Sequence, residues 1–204
     1  MSTKSHPTFH FERELLTQGY KMIVGVDEAG CGALAGPVVA GAVIFPLDSR
    51  IGDVRDSKLL TEKIREELYP LIIDRSVAWA VGSASVEEIF EMGIRQANYL
   101  AMRRAVEMIA EADYALVDAW TIPHLRIPQR GIIRGDRHVK SIAAASVIAK
   151  VTRDRQMVRF HEHYPEYGFM KHKGYGTKEH LEAIAVHGPC SIHRLGYKPF
   201  QSVL

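Results

Sequence analysis

Apolar residues fall along this chain in short compact blocks and in helical stripes, and the blocks mark out a sheet. Phe11-Glu-Arg-Glu-Leu-Leu reads as a short amphipathic helix ahead of the main fold. Residues 22–26 form one apolar run, and residues 38–45 form another that ends at Pro46, with glycine-rich chain between them. Two β-rich runs joined through glycines predict neighbouring strands of one sheet. Asp56-Ser57-Lys58 follows in a loop. Thr61, with Glu62 in the first turn, opens a helix to about residue 73 that Pro70 kinks or ends. Residues 77–84 predict a third strand. Residues 86–92 and 94–112 are helical with a break at Gly93, and residues 114–117 are a short buried strand running into Asp118.

The remainder has a different character. Residues 121–134, with Pro123, Pro128 and Gly131, read as an excursion rather than an element. Residues 139–160 predict one long helix, whose Ala143-Ala144-Ala145-Ser146 would let it approach another element closely. Gly174-Tyr175-Gly176 is a loop, and Thr177 caps a last helix to about residue 187. Strands with interspersed helices predict an α/β fold whose tail from about residue 139 is mostly helical. The expected organisation is a short N-terminal helical extension, 1–21, and one domain, 22–204, with no internal repeat or low-complexity segment.

Composition narrows the class. With 204 residues, 47% of them apolar and 25% charged, the chain can bury a real core. No apolar run approaches the roughly 20 residues that span a membrane, and the N-terminus lacks the apolar stretch of a secretory signal. Two cysteines, Cys31 and Cys190, are too few for a disulfide framework, which predicts a cytoplasmic location. The net charge of +2 conceals an asymmetry: residues 1–125 carry 12 Lys/Arg against 18 Asp/Glu, and residues 126–178 carry 12 against 4. A basic segment after an acidic half fits a polyanion-binding face beside a carboxylate site, and equally a solvated basic helix.

The acids sharpen the choice. Asp27-Glu28 ends the first apolar strand directly before Ala29-Gly30-Cys31-Gly32, and Asp118 ends another behind Ala115-Leu116-Val117. Asp136 lies in Gly135-Asp136-Arg137, just ahead of the long helix. One such acid alone is a cap or turn residue; acids ending two strands fit a site beyond the sheet edge as well as they fit caps and turns. Neighbouring strand residues face opposite ways, so Asp27 and Glu28 can serve one site only if the strand ends between them. Carboxylates without histidine or cysteine spacing suit hard cations such as Mg²⁺ or Mn²⁺. Six of the ten histidines follow residue 160, among them His161-Glu162-His163, but their spacing fits no standard zinc site. They are taken as surface or local hydrogen-bonding residues.

The ordered set of motifs resembles bacterial ribonuclease HII, a type 2 ribonuclease H. Asp27-Glu28-Ala29-Gly30 and Leu34-Ala35-Gly36-Pro37-Val38-Val39-Ala40 look like the family's opening motif. Asp56-Ser57-Lys58, Val117-Asp118-Ala119, Gly135-Asp136 and Ser141-Ile142-Ala143-Ala144-Ala145-Ser146 follow in order. Ala149-Lys150-Val151-Thr152-Arg153-Asp154 and Lys173-Gly174-Tyr175-Gly176-Thr177 complete the set, which runs from about Met22 to the C-terminus. The resemblance implies a ribonuclease H-like fold, a mixed five-stranded sheet flanked by helices. It implies a two-metal site from Asp27, Glu28, Asp118 and Asp136. It also implies hydrolysis on the 5′ side of a ribonucleotide, in an RNA–DNA hybrid or embedded in duplex DNA, leaving 3′-hydroxyl and 5′-phosphate ends. With about 20 residues before the first motif, no extra N-terminal domain like that of ribonuclease HIII is expected.

One position departs from the family, which usually has arginine where Cys31 stands between Gly30 and Gly32. The glycine turn is expected to meet the substrate backbone through main-chain groups, and Cys31 forfeits the charge an arginine would give a phosphate. Tyr175 is expected to rest on the sugar and help read its 2′-hydroxyl. Lys58, Lys150, Arg153 and Lys173 are the phosphate candidates, Lys58 and Lys173 foremost. Asp154 is expected to pair with a nearby arginine rather than bind metal. The expected substrate complex involves a monomer, nucleic acid and no membrane. The competing class is a non-catalytic nucleic-acid-binding module, which leaves the four acids unexplained. A glycine-rich nucleotide site lacks the required motif spacing.

Overall fold

The computed structural model describes residues 6–52 and 54–200. Its centre is a five-stranded mixed sheet in the order β3-β2-β1-β4-β5. β1 (Ile23–Ala29) and β2 (Val38–Ile44) pair antiparallel, from Gly25 opposite Val43 to Ala29 opposite Val39. β3 (Ala78–Ala84) runs antiparallel to β2. β4 (Tyr114–Asp118) runs parallel to β1, and β5 (Gln129–Ile132) parallel to β4. Every residue of β2 is buried, because helices cover both faces of the sheet.

The helices are α1 (His10–Thr17), α2 (Glu62–Arg75), α3 (Val86–Glu107), α4 (Lys140–His163), α5 (Phe169–His172) and α6 (Lys178–His187). On one face Ala97, Ala101, Met102 and Ala105 of α3 pack on Val24, Val26, Val38 and Ala40. On the other, Ala143, Ala144, Ala145 and Ile148 of α4 meet Val43 and Val54. The small residues of α4 permit the predicted close approach. A Cβ at Gly41 would stand 2.4 Å from the Ala145 carbonyl oxygen, and one at Gly25 would stand 2.3 Å from the Ser141 carbonyl carbon. Substituting alanine at either would push α4 off the sheet and undo burial worth roughly 1.5–3 kcal/mol per large side chain.

Three elements differ from the sequence pattern. Pro70 neither ends α2 nor stops it short of Arg75; the residue is exposed, so solvent can take up the carbonyl its missing N–H leaves free. Gly93 does break α3, with φ +78 and ψ 156, but the helix beyond it ends at Glu107 rather than near residue 112. The stretch 121–134 holds a strand, β5, which completes the sheet at its edge. The N-terminal helix is docked rather than free-standing. Thr8 bridges to Val139, and the buried Glu12 carboxylate accepts from the Ser141 N–H (3.2 Å) and hydroxyl (2.7 Å) at the start of α4. Residues 1–5 and 201–204 of the predicted extension and tail lie outside the described residues.

Candidate active site

The strand ends place the acids. β1 does not stop between Asp27 and Glu28, as their shared use demanded; it continues to Ala29. Its parallel neighbour stops instead. Val26 pairs with Val117, so Asp118 lies opposite Asp27 as the last residue of β4. Ala119, at φ +60, then turns the chain away. Beyond that point β1 has an open flank, around which side chains from both of its faces reach Asp118. A 3₁₀ turn, Gly135–Arg137, brings in Asp136 immediately before α4.

The four acids form one electrostatic unit. Burial raises the Asp27 carboxyl well above its ordinary range, and the negative charges of Glu28, Asp118 and Asp136 push it further. Glu28 is raised by burial and by Asp118. Asp118 is raised by burial, partly offset by N–H groups that include Gly135's, which donates at 2.7 Å. Asp136 is pushed up to about 6 by burial, Asp56 and Asp118. Four carboxylates that each resist ionisation because they are withdrawn from water, with Lys58 offsetting only part of that for Glu28, Asp118 and Asp136, are a donor set suited to a cation. They are gathered but not drawn tight: among the described residues, no three His, Cys, Asp or Glu side chains form a ready-made coordination shell.

Two further residues belong to this unit. Asp56 is buried beside Asp136, and its negative charge helps to raise the Asp136 carboxyl. It is held by the Lys58 N–H at 2.9 Å and faces Arg137 at 3.7 Å. Lys58 is exposed; partial burial works against its charge, but Asp27, Asp56, Asp136 and Glu28 outweigh that and raise its pKa. Beside Glu28 and Asp118 opens a cavity of about 280 Å³ lined also by Arg95, Asn98, Tyr99 and the largely exposed Trp120. Asn98 hydrogen-bonds Glu28 and has its Oδ1 buried without a partner.

The glycine turn is held from beneath by two arginines. Arg153 is wholly buried and donates to the carbonyls of Pro37 (2.9 Å), Lys173 (3.0 Å) and Ala35 (2.9 Å). Arg194, 1% exposed, donates to Gly36 (2.9 Å), Cys31 (3.1 Å) and Pro37 (3.1 Å). Arg153 therefore cannot be a phosphate contact. It is structural, and its place on the buried α4 stripe Ile142, Ser146, Ala149, Arg153, Met157 was readable from helical spacing. The two glycines of the turn differ in kind. Gly30, at φ +98, admits no Cβ, which would stand 2.1 Å from Arg153 Nε, whereas a Cβ at Gly32 meets nothing within 4 Å. The Cys31 thiol points inward to Glu28 Oε1 at 3.7 Å, and burial together with Glu28 pushes its pKa up to about 12, so it is no thiolate nucleophile.

The other basic candidates separate likewise. Lys173, expected at a phosphate, is buried, and its ammonium donates to the Met170 carbonyl and faces Glu62 at 3.5 Å. Lys150 donates to Asp154 at 2.7 Å, and Arg65 approaches the same carboxylate at 3.8 Å, so Asp154 is a structural partner as expected. Tyr175 is half-buried, with Lys150 Nζ 5.2 Å and Arg153 Cζ 5.3 Å from its ring centre. Three of the late histidines, His172, His180 and His193, are buried rather than superficial. Their position emerges only when the C-terminal loops fold together.

The ribonuclease HII family profile matches residues 24–200. A ribonuclease HII of Caldicellulosiruptor bescii is 50% identical over 190 residues, 93% of this chain and 92% of that protein. Among solved structures, the ribonuclease H2 of Pyrococcus horikoshii superposes with a TM-score of 0.75 at 25% identity, covering 90% of this chain and 97% of the other. A Bst ribonuclease HIII determined in complex with Mn²⁺ shares the fold, with a TM-score of 0.72 at 19% identity over 88% of this chain and 68% of that one. The ribonuclease H-like sheet, the ordered motifs and these likenesses agree: this chain belongs to the ribonuclease HII family, the type 2 ribonucleases H, and is an endoribonuclease.

Proposed function

We propose that the enzyme hydrolyses the phosphodiester on the 5′ side of ribonucleotides, in RNA–DNA hybrids and at ribonucleotides embedded in duplex DNA, leaving 3′-hydroxyl and 5′-phosphate ends. The observation that carries this reading is the meeting of Asp27, Glu28, Asp118 and Asp136 around the open flank of β1, each raised by burial and Asp27, Glu28 and Asp136 also by carboxylate neighbours. An all-oxygen, anionic, buried donor set fits Mg²⁺ or Mn²⁺. Two such ions, when bound, supply the charge that activates water and stabilises the leaving oxygen.

The chain's own residues do the rest. Asp27 and Glu28 of β1, Asp118, oriented by the Gly135 N–H, and Asp136 would hold the ions. Lys58 partly neutralises the acids and is the cation best placed for the phosphate that joins them. Gly30, Cys31 and Gly32 meet the substrate backbone; the open space at Gly32 supports this, since no neighbour within the protein excludes a side chain there. Tyr175 packs on the sugar and hydrogen-bonds the 2′-hydroxyl, a contact whose loss can discriminate by about 10⁴–10⁵. Lys173 contributes through its backbone, whose carbonyl anchors Arg153. The biological setting that fits this substrate is cytoplasmic removal of ribonucleotides from DNA by a monomeric enzyme.

The test is cleavage of a DNA duplex carrying one ribonucleotide, with Mg²⁺, Mn²⁺ or EDTA, by wild type and Asp27→Asn. Metal-dependent cutting 5′ of the ribonucleotide, lost in the variant, is the expected result. Duplex binding by a folded protein without any cutting would overturn the catalytic reading in favour of a binding module.

A further inference from the structure

Behind the Tyr175 loop, two buried imidazoles and a thiol are joined in a single line, with a third imidazole stacked beside it. His180 Nδ1 lies 2.9 Å from the Tyr175 carbonyl oxygen, and His180 Nε2 lies 3.1 Å from His193 Nε2. His193 Nδ1 lies 2.9 Å from the Cys190 backbone nitrogen and 3.1 Å from its sulfur. Alongside, His172 stacks on His180 with ring centres 4.4 Å apart; its Nδ1 lies 3.2 Å from the Gly174 nitrogen and its Nε2 2.7 Å from the Tyr167 carbonyl. Phe169 packs edge-on against His172 and His180 and tilted against His193.

The two backbone ends fix every proton between them. A carbonyl can only accept, so His180 carries its hydrogen on Nδ1 and offers a bare Nε2. His193 must then donate from Nε2, which leaves its Nδ1 bare to accept from the Cys190 N–H and thiol. A protonated ring anywhere in the line would set one N–H against another. His172 is fixed the same way, accepting from Gly174 and donating to Tyr167. Every ring nitrogen is thus spent on a neighbour, so the cluster has no lone pair for a metal and is not a zinc site.

We propose that His180 and His172, backed by His193 and Cys190, are positioning residues for ribonucleotide recognition: they lock the Gly174–Tyr175 backbone and so set where the Tyr175 hydroxyl stands. The inference rests on the reading of Tyr175 as the residue that hydrogen-bonds the 2′-hydroxyl. His180 takes the Tyr175 carbonyl, in the peptide after the Tyr175 α-carbon. The peptide before it donates its Tyr175 N–H to the His172 main-chain carbonyl at 2.9 Å, and the His172 ring takes the Gly174 N–H one peptide earlier. From the other side, Arg153 and Lys150 fix the ring. The residue is held at its backbone and its aromatic face, leaving the hydroxyl end to the substrate. A ribonucleotide-reading hydroxyl displaced by about 1 Å loses on the order of 10²-fold in rate. Desolvation depresses all three imidazoles, His180 and His193 to about 4, which agrees with a line that works only when uncharged. The ionisable groups facing it include Glu179, Lys173 and His161 around His172, and Cys190 and Tyr167 against His193.

Two measurements test this on the intact enzyme. Nitrogen-15 NMR at neutral pH should find all three rings uncharged, His180 protonated on Nδ1, and His172 and His193 on Nε2. A His180 ring protonated on Nε2, or one that titrates near 6.5, overturns the assignment. Kinetics on a duplex carrying one ribonucleotide then compare His180→Phe, which fills the space without a donor, with His180→Asn, which keeps a donor near the Nδ1 position. His180→Phe should lower kcat about 10²-fold with little change in KM, and His180→Asn should recover most of it. In a Tyr175→Phe background, His180→Phe should cost little more. Losses that simply multiply would show that His180 acts elsewhere and refute the positioning role. Wild-type cutting by Tyr175→Phe alone would instead refute the reading of Tyr175, a different failure with a different signature.

Discussion

The carboxylates at the sheet edge and the imidazoles beneath the Tyr175 loop are both clusters of like ionisable groups withdrawn from water, resolved in opposite ways. The imidazoles satisfy one another, because a neutral ring is donor on one side and acceptor on the other, and a line of them can end on two backbone groups. Carboxylates have no such option. Ionised, each oxygen only accepts, and four of them repel, so the cluster is left short of positive charge. The self-satisfied cluster belongs to the scaffold, and the unsatisfied one is where something from outside must come.

The largest effects should come from relieving the unsatisfied cluster. Asp27→Asn should abolish cleavage and yet raise the melting temperature of the metal-free protein by about 2–8 °C, since it deletes a repelled, buried charge. A lower melting temperature, measured by calorimetry in EDTA, would mean that Asp27 holds the fold together. Saturating Mg²⁺ should stabilise wild type by about 3 kcal/mol at 100 times its dissociation constant, and Asp27→Asn by much less. A melting curve indifferent to Mg²⁺ would break the comparison.

Acidity separates the clusters by sign. A carboxyl raised in the folded state favours folding at low pH, and that contribution is lost as pH climbs, through about 6 for Asp136. The depressed imidazoles do the reverse: their contribution is complete above 6.5 and drains away as pH falls toward 4. Without metal, the stability gain of Asp27→Asn over wild type should therefore shrink on acidification from pH 7.5 to 4.5. With Mg²⁺, wild type should lose stability between pH 6.5 and 4.5, and His180→Asn should lose less. Parallel curves for wild type and variant would remove that cluster from the account.

The smallest effect is expected at the rim. Cys31→Arg should tighten duplex binding modestly and steepen its salt dependence by about 0.9 in log–log slope, one more neutralised phosphate. Unchanged affinity and slope in titrations at several salt concentrations would show that this position never faces a phosphate.

Much of this contrast was legible in the sequence, and unevenly. The acids stood out because strand-terminal carboxylates after Val26 and Val117 break an apolar pattern at a point where burial would be costly. The reason Asp27 and Glu28 can share a site was not visible, because it lies in where β4 ends relative to β1, a fact of register between segments about 90 residues apart. β5 was missed because Gln129-Arg130-Gly131-Ile132 carries no alternation; an edge strand needs little of it. The imidazole cluster escaped for a related reason. Its members, at 172, 180 and 193, belong to separate short elements and align only through tertiary packing, whereas Arg153 escaped although its helical stripe was in plain view.

The clamp formed by Arg194 also bears on how the enzyme is made. Cys31, Gly36 and Pro37 wait for a guanidinium 157–163 residues further along the chain. During synthesis, all four acids have been joined to the chain long before that residue arrives. A polypeptide broken off before Arg194 would carry every acid of the proposed site and none of the Arg194 contacts that seat the glycine turn beside it. The seating of the turn is thereby deferred until Arg194 has been made, and a chain that lacks it carries the acids without that support.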